Sequence, residues 1–244
     1  MRTLGVDTAT STASVAIIED GVLVAEKIFP GAVPVNGSTV GHFKSNHAEV
    51  LLPLIETVLQ AAAVSLSELS CLAVSIGPGS FTGLRIGLST AKGLAYGWQI
   101  PVVGVSTLLA NAARVTDYDG LICSLLDARK KQVYASLFRR CGERLARLTE
   151  DSVLAVTEVI DLVREHDAPC LFIGDGTTTY EKLLKESLAK GVAFRGENTR
   201  PSIAAAVARL GGEGSRSSDR DGLLSLAPIY LRSSEAELKR KNLF

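Results

Sequence analysis

SIGPGSFTGLRIGLSTAKGLAYG, residues 75–97, decides the fold of this chain. The residues just before it, Leu72, Ala73 and Val74, run on into Ile76 as an almost unbroken apolar segment, the pattern of a strand buried on both faces. Gly77, Pro78 and Gly79 then turn the backbone sharply, and Gly83 lets the next element approach whatever lies in front of it. A strand, a glycine-rich bend and a helix in this order aim backbone N–H groups and a helix N-terminus at one point. A phosphate, a carboxylate or another chain can be held there. The segment is not a Walker A loop, because Gly83 is followed by Leu84 and Arg85 where that loop needs a lysine. Along the helix Gly83, Gly87, Ala91 and Ala95 recur every four residues and leave one face nearly bare. Such a face packs closely, either on the chain's own sheet or on a second subunit.

Upstream, residues 2–8 and 13–19 read as strands. Asp20-Gly21 is a hairpin signal that returns residues 22–29 antiparallel to the second of them. The first bend holds Asp7 and Thr8, then Ala9, Thr10 and Ser11. A carboxylate and hydroxyls at the end of a strand can hold magnesium and phosphate oxygens, and the same residues are also ordinary turn formers. Residues 31–43 read as a surface loop. A helix follows, with Asn46 and Glu49 spaced as a capping box and Pro53 as a bend. Its apolar positions Val50, Leu51, Leu54, Ile55, Val58 and Leu59 form a double column wide enough to touch two surfaces. His47 has Leu51 four residues on, so no helical histidine pair exists, and a capping or surface role outranks metal binding. Downstream of the bend, residues 100–105 form a strand and Ser106 caps a helix reaching about residue 115.

The first half therefore reads βββαβαβα, and the second half repeats it. Strands at 121–127, 132–139 and 144–149 precede a helix at 157–166, a strand at 169–174 and a helix at 178–189. A short strand at 191–195 and a helix at 202–210 complete the set. Asp127 ends its strand where Asp7 ends the first. The expected fold is α/β, two duplicated lobes with mixed sheets and a cleft between them. The division falls into a first lobe at 1–106, a second at 107–225 and a tail at 226–244. Residues 211–222 form a Gly- and Ser-rich link, and 235–241 are charged.

Composition bounds the function. With 244 residues, 46% hydrophobic and 21% charged, the chain can bury a real core. Its 26 basic and 26 acidic residues cancel, which removes any electrostatic drive to bind nucleic acid or an anionic membrane unaided. Arg129, Lys130 and Lys131 make a small basic cluster that reads as a solvated turn. Cys71, Cys123, Cys141 and Cys170 lack a CxxC spacing and read as reduced thiols. With no signal peptide or membrane-spanning run, the expected location is the cytoplasm.

Taken in order, Asp7-Thr8-Ala9-Thr10, GPGSFTG at 77–83, Arg85-Ile86-Gly87, Gly104-Val105-Ser106-Thr107 and Asp127-Ala128-Arg129 resemble one family closely. It is the bacterial tRNA threonylcarbamoyladenosine biosynthesis family TsaB, also called YeaZ, related to the glycoprotease-like enzyme TsaD. The specific motifs run from residue 1 to about 134, and Pro228-Ile229-Tyr230-Leu231-Arg232 is similar to the family's C-terminal PxYLR element.

The resemblance implies an actin-like ATPase fold, of the ribonuclease H-like kind, and a noncatalytic scaffold acting with TsaD and the ATPase TsaE. TsaD transfers a threonylcarbamoyl group to the adenosine beside the anticodon of ANN-decoding tRNAs. It also implies that two helices form the surface that pairs with TsaD, or with a second copy when TsaD is absent. On the first helix the surface residues are His47, Leu51, Leu54, Ile55 and Val58. Around the bend they are Gly79, Ser80, Phe81, Thr82 and Gly83. On the second helix they are Leu84, Arg85, Gly87, Leu88 and Ala91. No catalytic residue and no metal are expected, since TsaD keeps two helical histidines where this chain has His47 and Leu51. No cofactor is expected to be tightly bound. Asp7, Thr8 and Asp127 mark a vestigial nucleotide site, with ATP or ADP and magnesium at a composite interface, and tRNA reached only through the complex. The alternative is a nucleotide-dependent phosphotransferase of the sugar-kinase superfamily, for which Asp7 and Asp127 are the candidate carboxylates.

Overall fold

The computed structural model describes residues 1–29, 47–188, 191–195, 201–214 and 222–232. The expected loop at 31–43, the capping residue Asn46, much of the link and the charged tail at 235–241 lie outside the described residues.

Strands β1 (Arg2–Asp7), β2 (Ala13–Glu19) and β3 (Val22–Phe29) form the expected antiparallel meander. Helix α1 (His47–Ala62) leads to β4 (Cys71–Gly77), which pairs parallel to β1. After α2 (Phe81–Trp98), strand β5 (Val102–Ser106) pairs parallel to β4, giving the order β3-β2-β1-β4-β5. Alternation sorts the faces: Leu4, Val6, Leu72 and Val74 meet α1 and α2, whereas Gly5 and Ala73 face the other way.

The next element is α3 (Thr107–Ala113), begun by Ser106, whose hydroxyl accepts from the Leu109 N–H at 3.2 Å. The second sheet then repeats the first with β6 (Gly120–Arg129), β7 (Gln132–Cys141), β8 (Arg144–Arg147), β10 (Cys170–Ile173) and β11 (Val192–Arg195), in the order β11-β10-β6-β7-β8. Strand β9 (Ser152–Ala155), absent from the sequence reading, pairs with β7. Helices α4 (Val156–Arg164) and α5 (Gly176–Leu188) cover the outer face with Val159, Ile160, Val163 and Leu184.

The inner layer corrects the division of the chain. Helix α6 (Ile203–Gly214), grouped from its order with the second lobe, packs on the first sheet. Its small side chains permit this: a Cβ on Gly5 would lie 2.1 Å from the Ala204 carbonyl oxygen, and the Ala204 N–H donates to Ser14 Oγ at 3.2 Å. Helix α3, third in the first half by element order, turns instead to the second sheet. Leu109 and Ala112 pack against Ile122, Phe138 and Leu171, while Asn111 Nδ2 donates to Ser124 Oγ at 3.0 Å and to the Ile173 carbonyl at 3.2 Å. The third helix of each half thus sits on the other half's sheet.

A short α7 (Gly222–Ser225) precedes a strap over 226–232. Lys92 Nζ donates to the Leu226 carbonyl at 2.9 Å, and the Ile229 N–H donates to the Ile76 carbonyl at 2.7 Å. Leu231 packs with Leu108, Leu126 and Tyr134 of the other lobe. Among the described residues, no helix is long and apolar enough to cross a membrane.

Candidate functional site

The bend at 77–83 and the first turn at Thr8–Ala9 are built against each other. A Cβ on Gly79 would lie 2.4 Å from the Ala9 carbonyl oxygen. One on Gly83 would lie 1.9 Å from that of Thr8, and one on Gly87 would lie 2.3 Å from Thr8 Oγ1. The Ser80 N–H donates to the Ala9 carbonyl at 2.7 Å, and Ser80 Oγ caps α2 by accepting from the Gly83 N–H at 3.2 Å. Between the two readings of the bare helix stripe, packing on the chain's own sheet and turn is the one observed for Gly83, Gly87 and Ala91, all of them buried.

Of the residues expected on the partner surface, Ser80, Thr82 and Arg85 are exposed. Leu51, Leu54, Ile55 and Val58 are buried in the first lobe's core, as are Leu84 and Leu88, so their apolar area is already covered within one chain. Phe81 stacks on Tyr230 with ring centroids 4.5 Å apart, and Arg85 Nε donates to the Tyr230 hydroxyl at 2.9 Å, so both hold the strap. The outward faces also carry Leu52 on α1, and Tyr96, Gly93 and Gly97 on α2.

Between the lobes lies a cleft of about 440 Å³. Ala9, Thr10 and Ser11 line one side with Gly79, Ser80 and Thr82. Asp127, Ala128, Arg129, Asp175 and Arg232 line the other. Of the three residues expected to hold a nucleotide, only Asp127 lines this space. Asp7 is fully buried behind the turn, and Thr8 donates its hydroxyl to the Gly83 carbonyl at 2.7 Å.

Asp127 is itself engaged. Its Oδ1 accepts from the Arg129 N–H at 2.8 Å, and its own N–H donates to Asp175 Oδ1 at 2.9 Å. Arg232 Nη1 donates to the Ala128 carbonyl at 2.8 Å, so the strap crosses from one lobe to the other at the cleft. His47, on the cleft wall, donates from Nε2 to the Ser11 carbonyl at 3.4 Å. Its burial pushes the imidazole pKa below its ordinary value, although that hydrogen bond opposes the shift. Among the described residues, no three His, Cys, Asp or Glu side chains are grouped to hold a metal.

Asp175 and the role of Tyr230 escaped the sequence reading. Gly174-Asp175-Gly176 after an apolar strand repeats the strand, glycine bend and helix signal of residues 75–97, and would have found the first.

Duplicated lobes joined across such a cleft have the fold seen in actin, Hsp70 and sugar kinases. A hexokinase of the ROK type from Thermus thermophilus shares this fold, at a TM-score of 0.50 and 12% identity over 89% of this chain and 100% of that one. The TsaD family, tRNA N6-adenosine threonylcarbamoyltransferase, matches residues 41–239. The TsaB protein of Bacillus subtilis is 32% identical over 243 residues, 98% of this chain and 97% of its own. A crystal structure from Pseudomonas aeruginosa, of an uncharacterized protein with similarity to peptidase YEAZ, superposes with a TM-score of 0.74 at 25% identity over 95% of this chain and 99% of that one. The chain belongs to the TsaB (YeaZ) family, the noncatalytic relatives of TsaD-type enzymes in the tRNA threonylcarbamoyladenosine pathway.

Proposed function

We propose that this chain is a scaffold subunit that docks a TsaD-type transferase through the outward faces of α1 and α2, and that TsaE joins the pair. The observation that supports this reading is the contrast among the glycines of one helix. Gly83 and Gly87 are required by Thr8, but a Cβ on Gly93 or Gly97 would meet nothing within 4 Å. Glycine inside a helix costs roughly 1 kcal/mol relative to alanine, and here no contact within the chain offsets it. A second helix crossing closely over this face supplies the missing reason. Tyr96 on α2 is 78% exposed and Leu52 on α1 54%, and an apolar groove of about 550 Å³ runs between Leu52, Leu59 and Leu94.

In this reading a second copy takes the face when the transferase is absent. Nucleotide and magnesium belong to a site completed by the partner, to which this chain brings Asp127 alone of the residues expected from sequence. Size exclusion of the mixed subunits tests the docking. Wild type should co-elute with the transferase, and Gly93→Arg should weaken association at least roughly tenfold, since a bulky charge enters a close contact. Co-elution of Gly93→Arg identical to wild type would count decisively against this face.

A further inference from the structure

The turn between β6 and β7 departs from the pattern of the other described hairpin turns. Arg129 pairs with Gln132 across the hairpin, leaving Lys130-Lys131 as a two-residue turn. Both turn residues have positive φ, 53° and 61°, and Arg129 before them stands at 64°. Positive φ at both central positions is the type I′ signature, for which Asn-Gly or Asp-Gly is strongly preferred. The other described hairpin turns place glycine there: Asp20-Gly21 sits at 48° and 85°, and Gly142 at 57°, while Ala63, Gln99 and Asp167 are single positive-φ residues outside hairpins. Only the β6–β7 turn, among the described hairpins, sets three long cationic side chains in succession into a conformation that side-chain-bearing residues rarely adopt. Strain of this kind persists where the surroundings or a function over-determine it.

The charge at this tip is concentrated and outward. Lys130 and Lys131 are exposed, and the Arg129 side chain is 86% exposed. Arg232 adds a fourth cation on the cleft side, held at the hairpin stem by the Ala128 carbonyl. Among the described residues, Asp127 lies 3.9 Å from Arg129 Nη1, and Asp175 accepts from the Asp127 N–H. Residues 129–131 include no apolar side chain that could anchor in a protein pocket.

We propose that the β6–β7 turn is a phosphate-contacting tip that touches the backbone of the RNA substrate once this chain is assembled with its transferase. This rests on the scaffold reading above. It also agrees with a net charge of zero, because a local cationic tip assists a larger complex and does not bind RNA strongly by itself.

The test uses the assembled complex, an unmodified tRNA transcript and fluorescence anisotropy across a salt series. Changing Lys130→Asn and Lys131→Gly together installs the preferred turn while removing both charges, so folding and binding should move in opposite directions. The melting midpoint should rise, RNA affinity should fall roughly tenfold, and the slope of log affinity on log salt should shrink by about 2. Lys130→Arg with Lys131→Arg should keep wild-type affinity. RNA affinity and salt slope left at wild-type values in the Asn-Gly variant would overturn the proposal. So would a loss of affinity that tracks loss of transferase co-elution, because the tip would then be a protein contact. Failure of the wild-type subunits to co-elute at all is a separate result, and it would strike the docking reading instead.

Discussion

Thr8 and Gly83 hold each other in both directions. The Thr8 hydroxyl donates to the Gly83 carbonyl at 2.7 Å, and the Thr8 carbonyl oxygen occupies the space, 1.9 Å away, that a side chain on Gly83 would need. The bend that looks like an anion cradle in the sequence is therefore filled by the chain's own first turn. Gly83→Ala should destabilise the isolated protein by at least about 3 kcal/mol, since backbone and not a flexible side chain must move. Thr8→Val should cost only about 1 to 2 kcal/mol, the loss of one buried hydrogen bond. Urea titrations of both variants measure the difference, and equal losses would contradict this packing.

Gly93 should behave in the opposite way. Nothing lies within 4 Å of its absent Cβ, so Gly93→Ala should stabilise the isolated chain by about 0.5 to 1 kcal/mol. A loss of stability in thermal denaturation would mean that the face is covered within the monomer.

Tyr230 is one of the points that pin the strap. Tyr230→Ala removes the stack on Phe81, at 4.5 Å, and the hydroxyl that accepts from Arg85. The expected cost is about 1 to 2 kcal/mol. Hydrogen exchange should quicken most at the Ile229 amide, which donates to Ile76, and little in the β6–β7 ladder.

His47 gives the pH dependence a sign. Its folded pKa is lowered by burial, so the unfolded chain binds the proton more readily, and stability rises with pH. The contribution is complete above the ordinary imidazole value of about 6.5 and is lost progressively as pH falls from there toward the folded value. His47→Gln should flatten the acid side of a plot of denaturation midpoint against pH. An unchanged slope just below about pH 6.5 would remove His47 as its cause.

The topology was legible because strand alternation and helical spacing are local signals, and the duplicated order followed from them. The partner of each apolar stripe was not. Leu51, Leu54, Ile55 and Val58 have the same spacing whether they meet the chain's own sheet or another protein, and the sheet took them. Gly93 and Gly97, one face away from the stripe at Gly83 and Gly87, look no different in sequence and differ only in what surrounds them. Asp7 and Asp127 end equivalent strands, but only Asp127 reaches the cleft, because the first turn folds over Asp7 while the second half leaves its strand end open. The helix expected at 202–210 falls by chain order in the second lobe, whereas its small side chains, Ala204 and Ala205 among them, seat it on the first sheet.

The crossed seating of α3 and α6 means that neither half of this polypeptide is self-sufficient. A gene split between codons 106 and 107 would yield one fragment with Gly5 and Ala73 laid bare to water and another with Ile122 and Leu171 served but Ala204 left without a floor. Such fragments should become soluble only when produced together, each finishing the interior of the other.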